Sequence, residues 1–175
     1  MTLVQQTKVD GVHAAAVFSE CGLYRFSLSR HWGPSLGSRV LFLMLNPSTA
    51  TAQVPDPTVT RCIRFARAWQ FSGVNVANIF ALRSTDPGGL LRTDDPVGPT
   101  NDEWIVKLAS ESDQVICAWG SPSFKALRKL VEDRAQHVAT LLNGRPLHCL
   151  GMAKSGAPRH PLYLRSDARR IRWPA

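Results

Sequence analysis

"RVLFLMLNPSTA", residues 39–50, decides how this chain is read. Residues 40–45 are apolar without a break, and the run stops at Asn46-Pro47. A run that short, with no polar alternation, predicts a strand over 39–45 buried on both faces. Such strands belong to sheets covered by helices, and sheets of that kind hold ligands beyond the carboxyl ends of their strands. The hydroxyls of Ser48 and Thr49 stand at that end.

Outward from this strand the pattern repeats. Residues 58–70 read as a helix, with Val59, Ile63, Ala66 and Trp69 on one face and Arg61, Arg64 and Arg67 on another. Asp56 or Thr58 would cap it, and Pro57 suits its first turn. "GVNVANIFAL", 73–82, is a second buried strand, followed by a long polar loop with one short helical turn. Pro99 and Asn101 start a helix through about Ser110; "QVICAW", 114–119, is a third strand; residues 122–142 form a long helix; "PLHCLG", 146–151, is a fourth strand. Upstream, 13–19 and 23–31 form a β-hairpin, followed by a loop over 33–38. Everything after the fourth strand reads as loop and basic tail. The expectation is an α/β fold with a four-stranded parallel central sheet, preceded by the hairpin, in a single domain over residues 1–175.

Composition bounds the rest. The chain has 175 residues, 44% of them apolar and 19% charged, which excludes a disordered polyampholyte. Without a membrane-length apolar run or a signal-like start, it reads as a soluble cytoplasmic protein with no membrane partner. Cys21, Cys62, Cys117 and Cys149 are too scattered for a zinc or iron–sulfur clip; three sit in apolar or helical stretches, so buried thiols are the reading. The five histidines are equally dispersed, and neither GxGxxG, GxxxxGK[ST] nor GxSxG occurs. No metal and no cofactor is expected. The formal charge is +8, with residues 154–175 strongly basic and 86–113 acidic. That asymmetry suits a polyanion on one face or a solvated tail.

Four polar segments converge at the strand ends. Asn46 offers a donor and an acceptor, to orient water or read an amide-like edge, with Pro47 and Ser48 beside it as ligand-binding residues, or the segment is an Asx-type turn or a cap. Asp56 is a general base or a helix cap, the cap being favoured. Arg83 meets an anion or pairs with Asp86. Trp119 stacks on a base or fills the core rim, and Gly120 permits a close approach. In "KSGAPRHPLYL", 154–164, Lys154, Arg159 and His160 bring three cationic donors together, and Tyr163 stacks or donates. His160 would hydrogen-bond a developing negative charge. Arg159 and Arg165 would meet phosphate.

"MLNPSTA" (44–50), "DDPVGPTND" (94–102), "AWG" (118–120) and "GAPRHPLYL" (156–164) resemble the signature segments of a bacterial and phage family, domain of unknown function 1643, over about residues 23–173. That family implies no activity. The layout also resembles, more distantly, the uracil-DNA glycosylase superfamily. "LNP" at 45–47 is similar to the Asn-Pro form of its first motif, and "HP" at 160–161 to the start of its second. This resemblance implies a three-layer α/β/α fold and cleavage of an N-glycosidic bond in DNA or a nucleotide. Asn46 would orient water with help from Asp56, and His160 would stabilise the departing base. The chain departs from that pattern in lacking an aspartate in "LNP", a Ser-rich loop after His160 and a four-cysteine cluster. Those departures keep open a non-catalytic nucleotide or nucleic-acid binding module, or a small-molecule hydrolase or transferase. Oligomeric state is left open.

Overall fold

The computed structural model describes residues 2–34 and 37–174, so the loop expected over 33–38 lies partly outside the described residues. The strand that opened the reading is β4, Arg39–Met44, numbered in chain order after β1 (Thr2–Val9), β2 (Val12–Ser19) and β3 (Arg25–His31). There follow α1 (Pro57–Ala68), β5 (Gly73–Asn78), α2 (Asn101–Ser110), β6 (Gln114–Cys117), α3 (Lys125–Leu141), β7 (Leu147–Cys149) and β8 (Ile171–Arg172). Short 3-10 turns occupy Pro87–Leu91 and Pro161–Tyr163.

Among the described residues eight strands join one sheet in the order β1-β2-β3-β5-β4-β6-β7-β8. This corrects the expected four-stranded parallel central sheet and its separate hairpin. Only the pairs β4·β5, β4·β6 and β6·β7 are parallel, and the other four pairings are antiparallel. The cause is β3, which docks antiparallel on the edge of β5 with Leu28 opposite Val76, fusing the hairpin into the sheet. Two further strands escape sequence reading. β1 is solvated on both faces, so it shows no alternation; its Asp10-Gly11 turn to β2, with both φ angles positive, is its one legible signal. β8 is two residues long and closes the opposite edge on β7.

The even and odd residues of β4 sort the helices. Val40, Phe42 and Met44 pack with Val59, Cys62, Phe65 and Ala66 of α1. Leu41 and Leu43 belong to the cluster formed with Ile105 and Leu108 of α2 and Leu127, Val131 and Val138 of α3. Helices thus cover both faces of the middle strands, and residues 40–43 are 0% exposed. Three boundaries differ from expectation. β5 ends at Asn78, because Ala81 and Leu82 turn their N–H groups to Val97 and Pro96 of the long loop. α3 begins at Lys125, because Phe124 keeps an extended backbone. β6 ends at Cys117, leaving 119–124 as a free-running segment above the strand ends.

α2 and α3 are clamped by Asp102, which accepts hydrogen bonds from buried Arg134 and, at 2.9 Å, from His137 when Nε2 carries a proton. Arg134 Nε also donates to Ile79 O at 2.7 Å. Burial pushes the Asp102 carboxyl up, but its bonds and charges from Arg134 and His137 outweigh this and hold it below 3.8. A carboxyl depressed in the folded state contributes stability above its unfolded pKa and loses it as pH falls through the folded one. Asp102→Ala should cost about 2 kcal/mol at pH 7; breaking a buried pair costs about 3–5, but Asp102 is 38% exposed and partly screened. The gap to the parent in urea unfolding should narrow as pH is lowered below about 4.

Among the described residues no helix is long and apolar enough to cross a membrane, and no group of three His, Cys, Asp or Glu is placed to hold a metal ion. Cys62, Cys117 and Cys149 are buried free thiols, whereas Cys21 is exposed.

Candidate functional site

A cavity of about 390 Å³ opens where the chain leaves β4, β5 and β6. Met44, Leu45, Asn46 and Ser48 line it from β4 and its loop, and Val76 and Asn78 from β5. The start of α1 supplies Asp56, Thr58 and Val59, the 84–88 loop one wall, and residues 119–124 with Leu127 another. His160 and Tyr163 arrive from the carboxyl-terminal loop, and Arg25 from the first residue of β3.

Asn46, Asp56 and His160, read from segments more than 100 residues apart, therefore share one cavity, together with Ser48, Trp119, Gly120 and Tyr163. Pro47, Arg83, Lys154, Arg159 and Arg165 do not line it. Pro47 is buried beside it; its carbonyl accepts from Ser84 N and from Asn46 Nδ2. Arg83 donates to Gly22 O and lies over the Phe18 ring, while Asp86 pairs with Arg92 at 2.7 Å instead. Arg159 donates to Met152 O, Arg165 pairs with Asp167, and Lys154 is exposed.

Each central side chain has a structural bond and one atom to spare. Asn46 Nδ2 donates to Pro47 O at 3.1 Å and Ser84 O at 2.8 Å, tying the loop after β4 to the loop after β5. Two carbonyl partners fix the amide orientation, so Oδ1 is the atom left to accept. Asp56 Oδ1 caps α1 by accepting from Val59 N at 2.8 Å. Its Oδ2 bonds none of the described residues. His160 Nδ1 accepts from Leu162 N at 3.3 Å, which places the neutral ring's proton on Nε2. Burial pushes the His160 imidazole below its ordinary value, opposed by the Asp56 charge. It is therefore a neutral donor at pH 7.

Gly120 sets the position of that histidine. Its φ is +78°, and a Cβ there would lie 3.3 Å from His160 Cβ. Its N–H donates to Pro158 O at 3.0 Å, joining the segment after β6 to the His160 loop. Gly120→Ala should cost about 1–2 kcal/mol from the left-handed backbone alone. It should also push His160 away, read as a lower urea midpoint at unchanged m.

Trp119 is a core residue with a face on the cavity. It is buried and stands edge-on to Trp173, ring centroids 5.1 Å apart. The exposed aromatics of the lining are Phe124 and Tyr163.

Sequence reading missed Arg25, Asn78 and Phe124. The imperfect alternation of Leu23, Phe26 and Leu28 with Arg25 and Ser27 puts Arg25 on the polar side of the expected hairpin, yet residues 25–28 are all buried. A charge set between Tyr24 and Phe26 was the available signal. Burial lowers the Arg25 guanidinium to about 10, opposed by Asp56 and reinforced by Arg83 and Arg30, so it stays charged. The helix expected over 122–142 would use Phe124 on its apolar face, but α3 begins at Lys125 and leaves that ring 64% exposed.

No curated protein and no solved structure matches the chain. The family model described as Protein of unknown function (DUF1643) matches residues 25–162, a stretch holding every lining residue except Tyr163, and the chain belongs to that family.

Proposed function

We propose that the cavity binds a nucleobase-bearing ligand and hydrolyses its N-glycosidic bond. The observation that carries this reading is that Asn46, Asp56 and His160 line one cavity, each with a polar atom not used by the fold. At about 390 Å³ it is within the usual range for small-ligand sites. Asp56 Oδ2 takes a proton from water held by Asn46 Oδ1, the water oxygen attacks the sugar C1′, and the C1′–N bond breaks. The base leaves as an anion and accepts a hydrogen bond from His160 Nε2–H. The likeness of "LNP" and "HP" to glycosylase motifs supports these roles locally, without a shared sheet. It also supplies the remaining carboxylate question: "LNP" holds none, and Asp56 stands in the same cavity.

A second reading, a non-catalytic binding module, is favoured by the structural duties of the same groups, since Asp56 caps α1 and Asn46 ties two loops. Incubation with uracil-, hypoxanthine- and mismatch-containing oligonucleotides, and with free nucleotides, separates the two. Base release that is lost in His160→Ala supports hydrolysis. Saturable binding without release above that control supports the module.

A further inference from the structure

The proposed hydrolysis leaves one buried charge in the cavity without a task. Arg25 is 3% exposed and lines the cavity. Its Nη1 donates to Ala50 O at 2.9 Å and its Nη2 lies 3.4 Å from Asn78 Oδ1. Its Nε is buried and has no partner among the described residues. Asp56 acts on it through space, but none of the ion pairs among the described residues includes Arg25. A guanidinium withdrawn from water is costly unless an anion compensates it, and its planar fork matches carboxylate and phosphate oxygens.

Two other residues of the lining are different in kind. Phe124 is 64% exposed and Tyr163 85%. The lining therefore combines a buried cation with exposed aromatic rings. We propose that Arg25 is an anion-binding residue, and that the cavity takes a free small molecule whose terminal phosphate or carboxylate meets the guanidinium while its flat ring lies against Phe124 and Tyr163. This rests on the reading of the cavity as a ligand site, and it selects a nucleoside monophosphate over a base within a strand. A phosphodiester inside a strand carries a nucleoside on each side, whereas a terminal phosphate has a free end to reach a side chain only 3% exposed. Several surface arginines that would track a strand are turned to the protein itself: Arg61 to Leu164 O, Arg165 to Asp167, and Arg170 to Gln114 Oε1.

Calorimetric titration of the full chain with AMP and UMP, with adenosine and uridine, and with a short single-stranded oligonucleotide tests this. The monophosphates should bind about ten-fold or more tighter than the nucleosides, and inorganic phosphate or acetate should compete. Competition by phosphate alone identifies a phosphate ligand, and by acetate alone a carboxylate ligand; both support the role of Arg25. Arg25→Gln should erase the preference, and if that variant does not fold, the competition in the parent protein decides. Equal binding of nucleoside and monophosphate without ion competition, or no binding at all, overturns the proposal. Base release from oligonucleotides with no preference for a phosphate would keep the hydrolytic reading and overturn this one. A monophosphate preference without base release would do the reverse.

Discussion

Asp56→Asn should leave the protein folded and reduce base release by about 10²–10⁴-fold. The two duties of Asp56 make the substitution informative. Asparagine is as good an N-cap as aspartate, so it can still accept from Val59 N; losing the negative charge at the start of α1 costs less than about 1 kcal/mol. An amide cannot take the proton of an attacking water. Asp56→Ala loses the cap as well, costing about 1 kcal/mol, typical of removing a capping side chain. Hydrolysis by way of this carboxylate requires both variants to lose turnover while only the alanine form loses the cap bond. Turnover retained in Asp56→Asn would remove Asp56 from the chemistry and leave it as a cap. Urea unfolding and a base-release assay on the same preparations give the two readouts.

Phe42→Ala should cost about 3–5 kcal/mol. The ring is 0% exposed on the central strand, with Val76 and Ile116 as register neighbours on either side. It stacks on Trp69, centroids 6.0 Å apart, and Trp69 in turn stacks on Phe65 at 5.3 Å. Backbone on both flanks is held in parallel ladders, so the walls of the resulting hole are poorly able to close. A domain of this size is stabilised by only about 5–15 kcal/mol, so the loss is a large share of the total. Phe42→Leu should recover much of it. A loss under about 1 kcal/mol for the alanine form would mean that α1 collapses onto the strand, contrary to the packing described.

Legibility from sequence followed burial symmetry. β4 was readable because both its faces are covered, which makes its run continuous, and α1 because its cap, its Pro57 and its apolar stripe agree. β3 misled because it too is covered on both faces but carries Arg25 and Arg30 inside, so its mixture passed for a half-solvated hairpin. Which partner β3 would take was not written in β3 at all. Its pairing depends on β5 presenting a free antiparallel edge, a fact of the assembled sheet. Asn46, Asp56 and His160 stand out in sequence because they lie in polar loops that follow apolar strands, and all three line one cavity. Arg25 sits before its strand's apolar stretch rather than after it, and Phe124 changed role with a shift in where α3 begins. Local composition cannot show that Arg83 or Arg165 already has a partner within the fold.

The docking of β3 on β5 sets an order of events in synthesis. Residue 28 finds its partner only at residue 76, and β4, made in between, is flanked by β5 and β6, both of which follow it. As the chain emerges amino terminus first, the β1–β3 meander must wait, one edge open, until β5 has left the ribosome. Truncated nascent chains ending before residue 73 should therefore bind chaperones, and those long enough to bring both β5 and β6 out of the ribosome should release them.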